Sequence, residues 1–469
     1  MPINSFLYPG AKVTTGYEVA NSLRFNSGSS DYLTRTPSSA TNQDLWSLSF
    51  WIKRSNLGSY QSIYGVYANS TNQETLAFDD SDRLYWQLYQ SSAVKGQLTT
   101  NRVFRDVSAF YNILIVYDSA NGTAGNRMRM YINGVEETSF ATDTNPSSGQ
   151  DSQWNSTTAH TIGRINTTNY MNGYISELVA VDGTALSPTD VGEFDEDSGI
   201  WKPINVSGLT FGTNGFYLDF EDSSALGNDA AGSNNFTVNN LTSVDQSTDT
   251  CTTNFATGNP IASQAGSAQS NSLLTFSEGN LLMADNSETG IANFGLSSGK
   301  WFWEVKVIAD QDGLIIGACN EHFNINAELG YNSPASATGA KAFGYYGGNG
   351  TATVSVDDGS GFGSYGSAIA VNNIVSVALD LDSADQSCTF YLNGSSQGAL
   401  DITNLSSGES YFPAVGNWSV SDVSTSWNFG SPQYSESGGN SDGNGYGNFS
   451  MAVPSGYYAL NTKNLAEYG

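Results

Sequence analysis

Apolar and polar residues alternate in short runs along most of this chain. The clearest runs are Met128-Arg129-Met130-Tyr131-Ile132 and Cys388-Thr389-Phe390-Tyr391-Leu392, and each ends in Asn-Gly. Alternation places Met128, Met130 and Ile132 on one side of a strand, and Cys388, Phe390 and Leu392 on one side of another. Asn133-Gly134 and Asn393-Gly394 supply the positive φ values that a two-residue hairpin turn requires. Both hairpins follow an apolar run that closes on an acid, Ile113 to Asp118 and Val375 to Asp382. Trp46 to Arg54, Ile63 to Tyr67, Leu76 to Phe78 and Leu84 to Tyr89 continue the strand series at spacings of about ten residues. Trp301 and Trp303 fall on one face of their strand and are expected in a core. No helical period is sustained. The pattern predicts an all-β protein of two antiparallel β-sandwich, jelly-roll domains.

Composition sharpens the domain count and narrows the partners. With 469 residues the chain has room for two or three cores, and 50 glycines fit a fold with many turns. The net charge is −28, and thirteen of the seventeen Lys and Arg lie within residues 1–205. A surface this poor in cations cannot neutralise a run of phosphates, so nucleic acid is excluded as a partner. The acidity reads instead as solubility and self-repulsion. Cys251, Cys319 and Cys388 make neither a disulfide framework nor a zinc spacing. The opening residues lack the basic and apolar regions of a signal peptide, and no apolar run has membrane-spanning length. Synthesis in the cytoplasm without membrane insertion is expected.

Boundaries follow from shifts in composition. Residues 1–20, broken by Pro2, Pro9 and Gly10, read as an extended N-terminal arm. Phe6, Leu7 and Tyr8 in that arm would seek a surface, either on the same chain or on a partner. Residues 21–205 form the first sandwich, 206–272 an irregular connector, 273–432 the second sandwich and 433–469 a C-terminal tail.

Trp51-Ile52-Lys53, the Tyr-Ile-Asn-Gly hairpin, Ile162-Gly163-Arg164 and Gly173-Tyr174-Ile175-Ser176-Glu177-Leu178 occur in this order. In that order they resemble the laminin-G-like, concanavalin A-like superfamily. The resemblance implies a two-sheet sandwich that binds glycan or protein through rim loops, sometimes with calcium. Gly299-Lys300-Trp301-Phe302-Trp303-Glu304-Val305 resembles the signature of the SPRY family. Leu314 to Ala318, Ala342 to Tyr346, the second hairpin, Tyr411 to Gly416 and Trp427 to Gly430 follow in that family's order. This second resemblance implies recognition by loops, without catalysis.

Candidate chemistry is sparse. His160 and His322 are the only histidines, and no nucleophile elbow, phosphate loop or His-Glu-x-x-His occurs. A carboxylate pair carries little weight among 45 acids. No catalytic residue, metal ligand or cofactor is assigned. Calcium is the one ion that the turns Asp79-Asp80-Ser81-Asp82 and Asp357-Asp358-Gly359 would suit, although solvated turns explain both. Loop aromatics are the binding candidates, because flat rings stack on sugar faces: Trp154, Tyr345, Tyr346 and Trp418.

The combination resembles virion proteins of tailed phages. It implies a non-enzymatic head or tail fibre, decoration or adhesion component located on the virion and forming a homo-oligomer. Phe6, Leu7 and Tyr8 would attach it to other virion proteins, and its loops would meet a host surface glycan or protein. A purely structural capsid cement protein and a glycan-degrading enzyme are the alternatives.

Overall fold

A computed structural model describes residues 16–264, 274–285, 289–310, 313–323, 325, 329, 340–347, 353–356, 361–403, 409–417 and 423–469. It is built almost wholly of antiparallel sheets, as the alternation predicts. Two of these sheets stack to make the first sandwich. One runs in the order Val135–Glu136, Met128–Ile132, Tyr111–Asp118, Leu45–Arg54, Gly173–Asp182, Ser22–Phe25, Gln246–Ser247. The facing sheet runs Phe140–Thr144, Ala93–Val103, Arg83–Gln90, Asn72–Phe78, Gln61–Asn69, His160–Ile162, Tyr32–Arg35, Thr237–Asn239.

The second sandwich repeats the plan. Its first sheet is ordered Thr275–Ser277, Leu282–Asp285, Val423–Asn428, Lys300–Ala309, Ile374–Asp380, Ser387–Leu392, Ser395–Asp401. Its facing sheet is ordered Thr289–Ile291, Tyr411–Asn417, Leu314–Asn320, Ala342–Tyr346, Thr353–Val356, Gly361–Ser364.

Both Asn-Gly turns have the expected geometry. φ is 48° and 76° at Asn133 and Gly134, and 48° and 80° at Asn393 and Gly394. Met128, Met130 and Ile132 enter the first core, and Cys388 and Phe390 the second, while Leu392 packs at its edge. Trp301 and Trp303 are buried in the second core. The run Ile113 to Tyr117 is apolar at every position because both of its faces are covered. Ile113, Ile115 and Tyr117 face the core, while Leu114 and Val116 pack outward against Leu186, Val191 and Val206.

Residues 216–247, within the predicted irregular connector 206–272, are woven into the first sandwich. Phe216–Leu218 pairs with Gly173–Asp182, Thr237–Asn239 extends one sheet and Gln246–Ser247 the other. Phe216, Phe220 and Phe236 complete the core. Phe216–Leu218 falls within the run Gly215 to Phe220, which reads as a strand in the sequence, while Thr237–Asn239 and Gln246–Ser247 are too short to show alternation. The C-terminal tail also returns to the fold. Tyr458–Ala459 pairs in parallel with Lys300–Ala309, and the helix Thr462–Tyr468 brings Leu465 and Tyr468 against the second core.

At the other end of the chain, Val19 is buried and its N–H donates to Thr252 Oγ1. The Tyr17 hydroxyl reaches Glu177, which also accepts from Tyr217. Glu177 sits at a β-bulge with φ 51°, a left-handed conformation that turns its carboxylate toward both phenols. The close of the predicted arm therefore lies on its own chain. Phe6, Leu7 and Tyr8 lie outside the described residues.

The two sandwiches meet across a buried ionic junction. Lys53 Nζ donates to Asp249 Oδ2 at 2.7 Å, Asn254 Oδ1 at 2.8 Å and the Phe255 carbonyl at 3.1 Å. Burial pushes the Lys53 ammonium and the Asp249 carboxyl toward neutrality, and their pairing opposes that. Arg24 pairs with Asp245 and Glu278, and Tyr174 donates to the Gly279 carbonyl.

Candidate functional site

The outer face of the sheet carrying Arg83–Gln90 is the surface best equipped to hold a ligand. In that strand Leu84, Trp86 and Leu88 fill the core, so Arg83, Tyr85, Gln87 and Tyr89 point away from it. Strand register turns this alternation into rows across the sheet. Thr144, Gln97, Gln87, Thr75, Gly65, Thr161, Thr34 and Thr237 are successive partners. This row crosses the whole sheet without one charged residue.

Tyrosines flank the row. Tyr85 lies opposite Ala77 and Thr99, and Tyr60 meets it edge-on with ring centroids 5.9 Å apart. Tyr89, Gln73 and Tyr67 form the row on the other side. Tyr60, Tyr67, Tyr85, Tyr89, Gln87 and Gln97 are all half-buried, so each keeps surface for a ligand.

Hydrogen bonds within the sheet hold these groups still. Gln87 Nε2 donates to Gln97 Oε1 at 2.9 Å, and Gln97 Nε2 to Thr99 Oγ1 at 3.2 Å. The Ser62 and Thr75 hydroxyls share a bond of 3.2 Å. Burial pushes the Tyr60 phenol up to about 12, with a Thr75 hydrogen bond opposing and Asp79 adding. Burial and Tyr60 raise Tyr85 as well. Both phenols therefore stay neutral donors at physiological pH. Aromatic faces beside neutral amides and hydroxyls can stack on a sugar ring and exchange hydrogen bonds with its hydroxyls.

One end of the row is covered. Ile165 and the Arg164 carbonyl lie on Gly65, where a β-carbon would come within 2.9 Å of the Ile165 side chain. Arg164 stacks 3.3 Å from the Tyr32 ring centroid and bonds the Tyr170 hydroxyl. The open part of the face therefore spans Asn72–Phe78, Arg83–Gln90 and Ala93–Val103.

The sequence-predicted site residues lie elsewhere. Trp154 is only 2% exposed and sits in the first core, stacked on Trp46 and edge-on to Tyr64. Its loop is pinned there by Glu74, whose carboxylate accepts the Gln153 and Trp154 N–H groups and Trp86 Nε1. Tyr345 is fully buried in the second core, with its hydroxyl bonded to the Ser367 carbonyl. Neither ring has a face open to a ligand, which removes both as binding candidates. Tyr346 is half-buried and packs on the outside of its sheet against the Ile315 cluster. Trp418 lies outside the described residues.

The acidic turn at Asp79 to Asp82 is occupied by guanidinium groups. Asp79 holds Arg83, and Asp82 holds Arg54 and Arg105. Burial would raise the Asp82 carboxyl, but the Gly58 N–H and both arginines hold it below its usual value. Asp357 and Asp358 lie outside the described residues. No group of three His, Cys, Asp or Glu suited to a metal occurs among the described residues.

His160 is buried and neutral, lowered to about 4 by burial. Its Nε2 accepts the Asn155 N–H at 3.1 Å, and its Nδ1–H donates to the Thr158 carbonyl at 2.8 Å. Both nitrogens are committed to shaping that loop.

Residues 27–192 match the family described as the concanavalin A-like lectin/glucanases superfamily. The comparison with curated proteins returned no match. Among solved structures, the chain is similar to the SPRY domain of human HERC1, with 13% identity and a TM-score of 0.25, over 31% of this chain and 87% of that one. It is similar to the heptameric SAP-like pentraxin of Limulus polyphemus, with 16% identity and a TM-score of 0.31, over 48% and 95%. It is also similar to domains LG4-5 of the mouse laminin alpha1 chain, with 11% identity and a TM-score of 0.30, over 86% and 84%. The matched residues 27–192 lie within the first sandwich and include the open face described above, so that region is similar to the concanavalin A-like lectin/glucanases superfamily.

Proposed function

We propose that this protein is a non-catalytic binding protein whose first sandwich takes a neutral oligosaccharide on the outer face around Tyr85, Gln87 and Gln97. The uncharged Thr/Gln row flanked by tyrosines carries this reading. Its position within a domain matched to a lectin and glucanase superfamily supports it. A glycan array probed with the full chain, followed by titration of the best hits, tests the reading. Binding is expected to fall at least tenfold in Tyr85→Ala. Failure to bind any neutral glycan, or full retention by Tyr85→Ala, overturns it. Release of reducing ends from a bound polysaccharide would replace the binding reading with an enzymatic one.

The same proposal places the protein on the surface of a tailed-phage particle, as a homo-oligomeric fibre, decoration or adhesion component. Its support is the sequence order of an apolar arm, a laminin-G-like region and a SPRY-like region. Removal of residues 1–20 is expected to abolish incorporation into particles. Full incorporation of the truncated chain would rule out attachment through Phe6, Leu7 and Tyr8.

A further inference from the structure

Lys53 is the one buried lysine among the described residues. Lys202, Lys300, Lys341 and Lys463 reach carboxylates from half-exposed positions. Lys53 differs from them in its second partner, the side-chain amide of Asn254, which stands beside the Asp249 carboxyl.

Every member of this cluster is held in place. Asp249 Oδ2 takes the Lys53 bond at 2.7 Å, while its Oδ1 accepts the Phe255 N–H at 3.1 Å. Asn254 Nδ2 donates to the Ser108 carbonyl at 2.5 Å, which turns Oδ1 toward Lys53 Nζ at 2.8 Å. The Asn254 main chain is bonded twice to Thr462, its N–H to Oγ1 and its carbonyl from the Thr462 N–H. A carbonyl bond is about 1.2 Å long, so Asn254 Cγ lies within about 4 Å of Nζ. That is close to the separation from which a nucleophile attacks.

The surroundings exclude water. The Lys53 and Asp249 side chains are 1% and 3% exposed, and the Phe110 and Tyr174 ring centroids lie 5.7 and 5.4 Å from Nζ. Separated charges are costly in such a site, and burial favours the neutral forms of both groups. A neutral amine carries the lone pair that an ammonium lacks, and a protonated Asp249 beside it is an acid.

We propose that Lys53 and Asn254 join in an intramolecular amide bond, formed by the folded chain itself with Asp249 relaying the protons. The Nζ lone pair attacks Asn254 Cγ, and the carbonyl electrons move to Oδ1, which Asp249 protonates. Asp249, now a carboxylate, takes a proton from the added nitrogen and passes it to Nδ2. Nδ2 leaves as ammonia while the carbonyl re-forms and the Oδ1 proton returns to Asp249. One C–N bond forms and one breaks, with no oxidation or reduction, and Asp249 ends as it began. Lys53 belongs to the first sandwich, whereas Phe255, next to Asn254, packs on Phe302 and Phe449 of the second. The bond therefore ties the two sandwiches covalently, independently of any glycan.

Intact-mass spectrometry of the full chain in denaturant, followed by tryptic mapping, tests this. The wild-type mass is expected to be one ammonia below that of its sequence, with the peptides carrying Lys53 and Asn254 recovered as one joined species. Asn254→Ala is expected to keep its full mass. Asp249→Ala, with its sheet content checked by circular dichroism, is expected to keep it as well. The wild-type mass decides the bond even where a variant does not fold. A wild-type chain of full mass overturns the proposal, as does a chain short by one water and joined from Lys53 to Asp249. A bond formed undiminished in folded Asp249→Ala overturns the role given to Asp249.

Discussion

The two sandwiches share a plan and use their outer faces in opposite ways. In the first, the sheet containing Arg83–Gln90 presents tyrosines, glutamines and threonines outward, much of it open. In the second, the corresponding sheet presents Ile315, Cys319, Ala342 and Ala414, and Leu329 lies over them. Leu329 also closes over Gly416, where a β-carbon would come within 2.8 Å of its own. One face is kept wet and polar, and the other has become a secondary core. A face sealed by apolar packing adds stability, whereas an open polar face keeps its groups free for a ligand.

Charge substitutions should separate the two faces most widely. Ile315→Asp buries an unpaired carboxylate and is expected to cost more than about 4 kcal/mol, whereas Gln87→Asp should stay within about 1 kcal/mol. Urea denaturation of both variants measures the gap, and equal losses would mean that the faces are not different in kind.

The paired turns give a second contrast. A β-carbon at Gly134 would come within 2.3 Å of the Trp201 ring, while at Gly394 the nearest atom is Met451 Cβ at 3.8 Å. Both glycines have positive φ, so Gly394→Ala should cost about 1 kcal/mol from backbone strain alone. Gly134→Ala adds a clash with a buried indole and should cost about 3 kcal/mol or more by the same denaturation assay.

Buried carboxylates allow a pH comparison. Glu74 in the first sandwich and Glu304 in the second are both fully buried, and burial raises both. Glu74 stands at about 7 in the fold against 4.5 for an ordinary glutamate. The folded carboxyl thus keeps its proton where the unfolded one has lost it. Its contribution is complete below the unfolded value and is lost as pH rises through the folded one, at about 1.4 kcal/mol per unit. Relative to wild type, Glu74→Gln should therefore gain stability between pH 4.5 and 7. His160 works in the other direction, since its folded value of about 4 lies below the ordinary 6.5. Subtracting the two denaturation series leaves the Glu74 slope, and a flat difference would show that Glu74 ionises freely in the fold.

The smallest effect is on binding. Tyr85→Ala should weaken glycan affinity at least tenfold, about 1.4 kcal/mol or more, while Tyr346→Ala should leave it unchanged. Calorimetric titration of both reads the difference, and equal weakening would spread the site beyond the first sandwich.

Much of the fold was legible in the alternation of single strands. Met128 to Ile132 and Cys388 to Leu392 announce their buried faces, and Asn-Gly announces the turns. Trp301 and Trp303 declare a core in the same way. The same alternation already sets Tyr85, Gln87 and Tyr89 on one side of a strand, so part of the candidate site was present in the sequence. In the sequence, Trp154 between Gln153 and Asn155 reads as a loop tip. The loop is in fact drawn inward by Glu74, a residue eighty positions earlier. Short strands such as Thr237–Asn239 left almost no local trace, because two or three residues cannot display a period.

The sequence alone determined the all-β class, the two hairpins and which side of each long strand is apolar, since these depend on neighbours a few residues apart. Tertiary structure decided which polar sides line up into a row, which outer face is sealed and where Lys53 meets Asp249 and Asn254. Those outcomes depend on strand register and on contacts between segments hundreds of residues apart. Side-chain alternation says which way a residue points, and only the assembled sheets say what stands beside it.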